Sequence, residues 1–290
     1  MITSKEALEQ GILVLLNQPG QETPRLDAQV LLSHVLGVER PMLYAYPERA
    51  LSREQEERFR ALIARRAQGE PIAYLTGHKE FYGLDLLVDR RVLIPRPETE
   101  LLVESALAVI RRMYDAGRLP MVADIGTGSG AIPVALAVHE PRLSFLYACD
   151  IAPAALAVAR LNCQRHHVAS RVRLLQGDLL DPLPEPVDVL VANLPYVGLD
   201  EMTLLAPDVR AFEPHLALFS GSDGLDLLRR LFVDAHRLSL LKPGAIVCLE
   251  IGYQQREPLV DLLHELWPQA QATFTQDYSG WDRLLQVSVP

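Results

Sequence analysis

Apolar residues along this chain change their spacing twice, and the changes divide it into three regions. Up to residue 73 they recur at helical intervals, with no strand-like alternation before residue 72. Thr3 and Glu6 form a capping box for a first helix, and Thr23 caps a second that has Pro24 in its first turn and Gly37 as its stop. Ser52 and Gln55 form another box ahead of Phe59, Leu62 and Ile63, and Gly69 ends that helix. Residues 1–73 are therefore expected to make a small helical bundle. The charges of its third long helix, Arg58, Arg60, Arg65 and Arg66 with Glu54, Glu56 and Glu57, read as a solvated face.

Over residues 74–97 the pattern shortens. Phe81-Tyr82-Gly83 and Leu84 to Val88 resemble short strands, followed by the charged turn Asp89-Arg90-Arg91 and then Val92-Leu93-Ile94, which together predict a β-hairpin linker. Helical spacing returns at Leu101, Leu102, Ala106 and Ile110, and from there strands and helices alternate. The strand candidates are 121–125, 143–150, 172–176, 187–193, 245–251, 270–275 and 283–289; the helix candidates are 131–138, 153–166, 225–241 and 255–266. Such alternation predicts a predominantly parallel sheet covered on both faces. Only Asp277 to Asp282 separates the last two strands, too little for a crossover helix, so they should pair antiparallel. The expected fold is α/β, with a seven-stranded sheet containing a reversed strand.

Bulk properties narrow the functional classes. A chain of 290 residues that is 49% hydrophobic can bury one large core plus a small second one. No apolar run approaches the roughly 18–20 residues that span a bilayer, and Met1 to Glu6 lacks a basic stretch leading into an apolar one, so a cytoplasmic protein without membrane contact is expected. Cys149, Cys163 and Cys248 are odd in number and widely spaced, which argues for buried thiols. The histidines show no ligand spacing, so no metal is expected. A net charge of -9 is a poor balance for gripping many phosphates, and direct nucleic-acid binding is not expected. The excess acid lies beyond the helical region, which suits a cationic cofactor or a basic protein partner.

Two loops carry candidate chemistry. Asp124-Ile125-Gly126-Thr127-Gly128-Ser129-Gly130 ends one apolar run, and its glycines allow a sharp turn into a helix with close approach of a ligand. No lysine follows Gly130, which excludes a Walker loop. The dinucleotide fingerprint Gly126-x-Gly128-x-x-Ala131, with Asp150 as ribose acid, fits NAD. Against it, Asp124, Asp150 and Asp178 end three successive strands, an arrangement that attracts a sulfonium and an ammonium group and repels a pyrophosphate. S-adenosylmethionine is therefore the favoured cofactor, with Asp150 on the ribose hydroxyls and Asp178 with Leu179 beside the adenine.

The second loop, Asn193-Leu194-Pro195-Tyr196, ends the apolar run Val187 to Ala192. Asn193 offers an acceptor oxygen and two donor hydrogens, matched to an amide or an exocyclic amine, and Tyr196 offers a flat face. The same residues also read as a strand-ending turn and a ring packed on the core.

With these loops, Gly69-Glu70-Pro71-Ile72-Ala73-Tyr74-Leu75-Thr76-Gly77, Glu80-Phe81-Tyr82-Gly83, Val92-Leu93-Ile94-Pro95-Arg96-Pro97-Glu98-Thr99-Glu100, Glu213-Pro214 and Gly221-Ser222-Asp223-Gly224 complete a pattern running through nearly the whole chain. It resembles the bacterial protein-(glutamine-N5) methyltransferases that modify peptide chain release factors, the PrmC/HemK family. The resemblance implies a helical substrate-recognition domain over 1–73 and, over 98–290, a seven-stranded, Rossmann-like class I methyltransferase domain. It implies that Gly126, Thr127, Gly128, Ser129, Gly130, Asp150, Leu179 and Asn193 contact S-adenosylmethionine, joining Asp178 from the strand-end reading, and leave S-adenosylhomocysteine as product. It also implies that Asn193, Leu194, Pro195 and Tyr196 hold the glutamine of a Gly-Gly-Gln motif; Asn193, Pro195 and Tyr196 are expected to act in catalysis, and the protein is expected to be a monomer.

The family loop is usually Asn-Pro-Pro-Tyr, and here Leu194 takes the second place; preceding Pro195, it keeps an extended bias. Leu179 stands where relatives carry an aromatic. The motif Ile94 to Glu100 reads as a rigid interdomain connection rather than as catalytic. Competing readings are an adenine-N6 methyltransferase gripping a flipped base, a glutamine methyltransferase acting on a ribosomal protein, an NAD-dependent oxidoreductase, and a nonenzymatic binding protein.

Overall fold

Capping chemistry sets the first helices. Thr3 Oγ1 accepts from the Glu6 N–H at 3.2 Å while Glu6 Oε2 accepts from the Thr3 N–H at 2.8 Å, which opens α1 (Ser4–Leu16); Ser52 and Gln55 open α4 (Arg53–Ala67) in the same way. Thr23 precedes α2 (Pro24–Leu36), but its hydroxyl donates to Asp27 Oδ1 at 2.8 Å instead of capping the helix backbone. The computed structural model describes residues 2–18 and 22–290 and divides into two units, residues 1–78 with 206–212 and residues 79–205 with 213–290.

Leu15, Leu31, Leu32 and Phe59 centre the core of the first unit. Two of its helices, α3 (Arg40–Ala45) and α5 (Ile72–Thr76), had no signal in the sequence, being too short to show a period. Pro41 lies in the first turn of α3 and Pro71 just before α5, and both helices start where that fixed φ suits a helical turn. Tyr74 to Thr76 are thus helical, and the hairpin starts later than its pattern suggested. The charged face of α4 also needs correcting. Arg66 is mostly buried, pairing with Asp27 at 2.7 Å and donating to the Glu70 carbonyl at 3.2 Å, and Arg65 holds the buried Glu70 carboxylate.

β1 (His78–Phe81) and β2 (Leu84–Leu87) form the hairpin, closed by Tyr82 and Gly83 at φ 50° and 75°, the signs of a type I′ turn. Val92 to Ile94 form no strand. After α6 (Thr99–Asp115) come β3 (Val122–Ile125), α7 (Ala131–His139), β4 (Leu146–Asp150), α8 (Pro153–Arg165), β5 (Val172–Gln176) and β6 (Val187–Ala192). Short 3-10 turns and α9 (Pro207–Phe212), which groups with the first unit, then lead to α10 (Asp226–Arg237), β7 (Leu241–Glu250), α11 (Arg256–Leu266), β8 (Gln271–Gln276) and β9 (Asp282–Ser288).

The sheet order is β5-β4-β3-β6-β7-β9-β8, parallel except for β9. This is the expected seven-stranded α/β sheet with one reversed strand. β3 and β6 are buried at every position because helices cover both faces, whereas most of edge strand β8 is exposed. Consecutive strands run outward from β3 on one side and resume at β6 on the other, so the crevice at their carboxyl ends is the natural ligand position.

Asn162 on α8 ties the hairpin to the glycine loop. Fully buried, it accepts from the Leu87 N–H at 2.7 Å and donates to the carbonyls of Leu87 at 2.9 Å and Ser129 at 2.8 Å. Asn162→Ala should lower stability by about 2–4 kcal/mol. Chemical denaturation should show this as a lower midpoint at unchanged slope, and an unchanged midpoint would refute the anchoring role.

Candidate active site

The site begins with strand register. β3 and β6 pair so that Ile125 lies opposite Ala192, and the next residues, Gly126 and Asn193, start neighbouring loops. Gly126 has φ 76°, and a Cβ there would stand 2.8 Å from Leu194 Cδ2 and 3.7 Å from the Asn193 carbonyl oxygen. Only glycine lets the two loops pack this closely. The Gly126 and Thr127 N–H groups both donate to the Cys149 carbonyl at 2.9 Å, which seats the glycine loop on the end of β4. Gly128 donates to Asp150 Oδ2 at 2.8 Å, and Ala152 donates to Oδ1 at 2.9 Å.

A cavity of about 290 Å³ opens above this junction. Gly126, Thr127, Gly128, Ser129, Asp150, Asp178, Leu179, Asn193, Leu194 and Pro195 all line it, with Ile151 and Ala152 adding apolar wall. Of the residues expected at the site, Gly130 and Tyr196 are elsewhere. Gly130 packs against Ala159, 3.1 Å from its would-be Cβ, and Tyr196 borders a separate cavity with Leu204, Leu205, Leu225 and Tyr253. Leu194 is mostly buried and packs with the core of the second unit. Arg91, Val92, Leu93, Pro95, Arg96 and Thr99 also line the first cavity, so the segment read as a plain connection forms one of its walls. Glu213 holds that wall in place, accepting from the Ile94 N–H at 3.1 Å and pairing with Arg96.

The three strand-end aspartates differ in state. Burial raises the pKa of Asp150, and the N–H groups of Ala152 and Gly128 oppose the shift; with each oxygen holding one backbone donor, lone pairs remain for hydroxyl groups. Asp178 is paired with Arg230 at 2.7 Å at the exposed edge. Asp124 does not line the cavity. It is fully buried, and neither its oxygens nor Thr127 Oγ1 has a hydrogen-bond partner. Burial pushes its carboxyl up to about 7; the nearby Thr127 hydroxyl, short of hydrogen-bond geometry, pulls the other way and the Asp150 charge adds to the rise.

Behind Asn193 lies a polar cluster that the sequence reading missed. Asn193 Nδ2 donates to Thr99 Oγ1 at 3.0 Å and to Glu250 Oε2 at 2.9 Å, and Tyr196 donates its hydroxyl to Glu250 Oε1 at 3.2 Å. Gln255 Nε2 donates to the Tyr196 carbonyl at 3.0 Å. Burial raises the pKa of Glu250, against the hydrogen bonds from Thr99 and Tyr196. The available signal was an acid inside the apolar run Ile246 to Ile251 at the carboxyl end of a strand.

The residues fit a nucleoside, although the three-carboxylate arrangement read from the sequence does not survive in the cavity, where Asp124 is sealed off and Asp178 is paired with Arg230. Asp150 has spare acceptors, no atom lies within 4 Å of a Cβ on Gly128, and Leu179 with Ile151 gives apolar wall. Among the described residues no group of three His, Cys, Asp or Glu could hold a metal ion, and no helix is long and apolar enough to cross a membrane.

Two family models match the chain, the PrmC N-terminal domain over residues 6–77 and the Methyltransferase small domain over residues 101–206. A Release factor glutamine methyltransferase of Moorella thermoacetica is 44% identical over 283 residues, covering 97% of each chain. One of Bacillus anthracis is 38% identical over 264 residues, covering 90% of this chain and 91% of its own. In fold, the hMettl16 catalytic domain, solved in complex with MAT2A 3'UTR hairpin 1, superposes with a TM-score of 0.57 at 16% identity, over 86% of this chain and 87% of that one.

Asp124 gives the free protein a pH signature. Its pKa rises from an ordinary 3.8 to about 7 on folding, so the folded state holds the extra proton and stability falls as pH climbs through that window. Asp124→Asn should flatten this slope and gain relative to wild type above neutral pH; parallel pH–stability curves for the two proteins would contradict the assignment.

Proposed function

The chain belongs to the release factor glutamine methyltransferases, and from that premise we propose that it transfers a methyl group from S-adenosylmethionine to the side-chain nitrogen of the glutamine in the Gly-Gly-Gln motif of peptide chain release factors. The family and the fold imply a methyl donor of this type. The observation that carries the reading is the contact of the two loops, which puts an amide-recognising residue on the wall of a nucleoside-sized cavity.

When bound, S-adenosylmethionine supplies an electrophilic methyl group on sulfur, leaving S-adenosylhomocysteine. Gly126 to Ser129 would cradle the tail, Asp150 would accept from the ribose hydroxyls, and Leu179 with Asp178 would flank the adenine. An amide nitrogen is a weak nucleophile because its lone pair is delocalised into the carbonyl, so the protein must orient it. Asn193 Oδ1 accepts one amide hydrogen. A loop carbonyl on the cavity wall, that of Pro195 in this reading, accepts the other. Two such contacts direct the lone pair and favour a pyramidal nitrogen. Tyr196 lies outside this cavity, and its hydroxyl donates to Glu250, so its part is to brace the loop that carries Asn193 and Pro195. The helical unit helps recognise the release factor, and the enzyme modulates translation termination.

Incubation with labelled S-adenosylmethionine and a release factor, followed by mass mapping, should place one methyl on that glutamine. Asn193→Ala should cut the single-turnover rate on the order of 100-fold with little change in donor affinity. An unaltered rate would remove Asn193 from the reaction.

A further inference from the structure

The Asn193 amide nitrogen faces into the protein. It donates to Thr99 Oγ1 and to Glu250 Oε2, and Thr99 closes the ring by donating to the same Glu250 oxygen at 2.6 Å. The partners differ in what they permit. A hydroxyl donates or accepts with equal ease, so Thr99 alone would tolerate either end of the amide. A carboxylate oxygen only accepts, and one that already faces the Thr99 hydroxyl would repel Asn193 Oδ1. Glu250 is fully buried and does not line the donor cavity, so it acts on that cavity through Thr99 and Asn193, which do, and of the two only Asn193 carries an amide to orient.

We propose that Glu250 is a positioning residue that sets substrate specificity: by holding the Asn193 nitrogen inward it leaves a lone acceptor facing the substrate. A side chain that offers N–H, a carboxamide, is then accepted, and a carboxylate of the same length and shape is turned away. With the amide reversed, two N–H donors would face the cavity and would grip the carboxylate instead. The inference rests on the reading that Asn193 receives the substrate amide.

The test uses the full chain, the Glu250→Leu, Glu250→Gln and Thr99→Val variants, and release factors whose target glutamine is replaced by Glu or by Ala as inhibitors. Donor binding by calorimetry serves as the folding control. On the wild type, the Glu-bearing release factor should inhibit more weakly than the Ala-bearing one. Glu250→Leu should lose about 10- to 100-fold in single-turnover rate, with donor affinity held, and should reverse or abolish that inhibition preference. Glu250→Gln keeps an oxygen able to accept from Nδ2, so it should recover most of the rate. Its own amide can turn either way, so its preference should narrow. Thr99→Val keeps the carboxylate and should keep the preference.

An unchanged preference in Glu250→Leu, or its loss in Thr99→Val, overturns the proposal. Should Glu250→Leu fail to bind donor, Glu250→Gln decides: a narrowed preference supports the proposal and a wild-type preference overturns it. A wild type that never methylates the release factor overturns the functional reading and this inference with it. A working wild type with an unaltered Glu250→Leu preference overturns this inference alone.

Discussion

The pairing of β3 with β6 is the constraint on which the site depends. Because Ile125 lies opposite Ala192, the strands finish level, and the glycine loop and the Asn193 loop leave the sheet side by side. A slip of one residue would turn the side chains of β6 to the opposite face of the sheet and carry Asn193 away from Gly126. Register is fixed from both faces, since every residue of these two strands is buried. The hydrophobic pattern that folds the sheet therefore also sets the distance between the glycine-loop cavity and Asn193.

Around that junction, carboxylates are held in unlike conditions. Asp150 is steadied by backbone N–H groups, Glu250 by three side-chain donors, and Asp124 by no hydrogen bond at all. A buried acid without partners opposes folding at neutral pH, and such local loss is common where a site is built for a charged ligand. Glu250 shows the reverse strategy, in which a buried carboxyl group is satisfied by hydrogen bonds and fixes the orientation of a neighbour.

Much of this was legible in the chain. Strands β3 to β9 and the helices between them repeat a period long enough to read, and the glycine loop and Asn193 to Tyr196 stand at the ends of apolar runs where the sheet edge had to be. Short elements escaped: α3, α5 and α9 hold five or six residues each and show no period. Pairing across long separations escaped too. Nothing local says that Glu250 meets Asn193, that Glu213 holds Ile94, or that Arg66 is buried against Asp27. Each partner is a polar residue whose own surroundings suggest water, and only the closed fold removes it from water.

The most direct test of the account is a crystal structure of the protein with S-adenosylhomocysteine and a peptide bearing the Gly-Gly-Gln motif. The account predicts the nucleoside between Gly128, Asp150 and Leu179, and the glutamine side chain donating an N–H to Asn193 Oδ1 next to the sulfur. A glutamine bound away from Asn193, or one that meets its nitrogen instead of its oxygen, would contradict it.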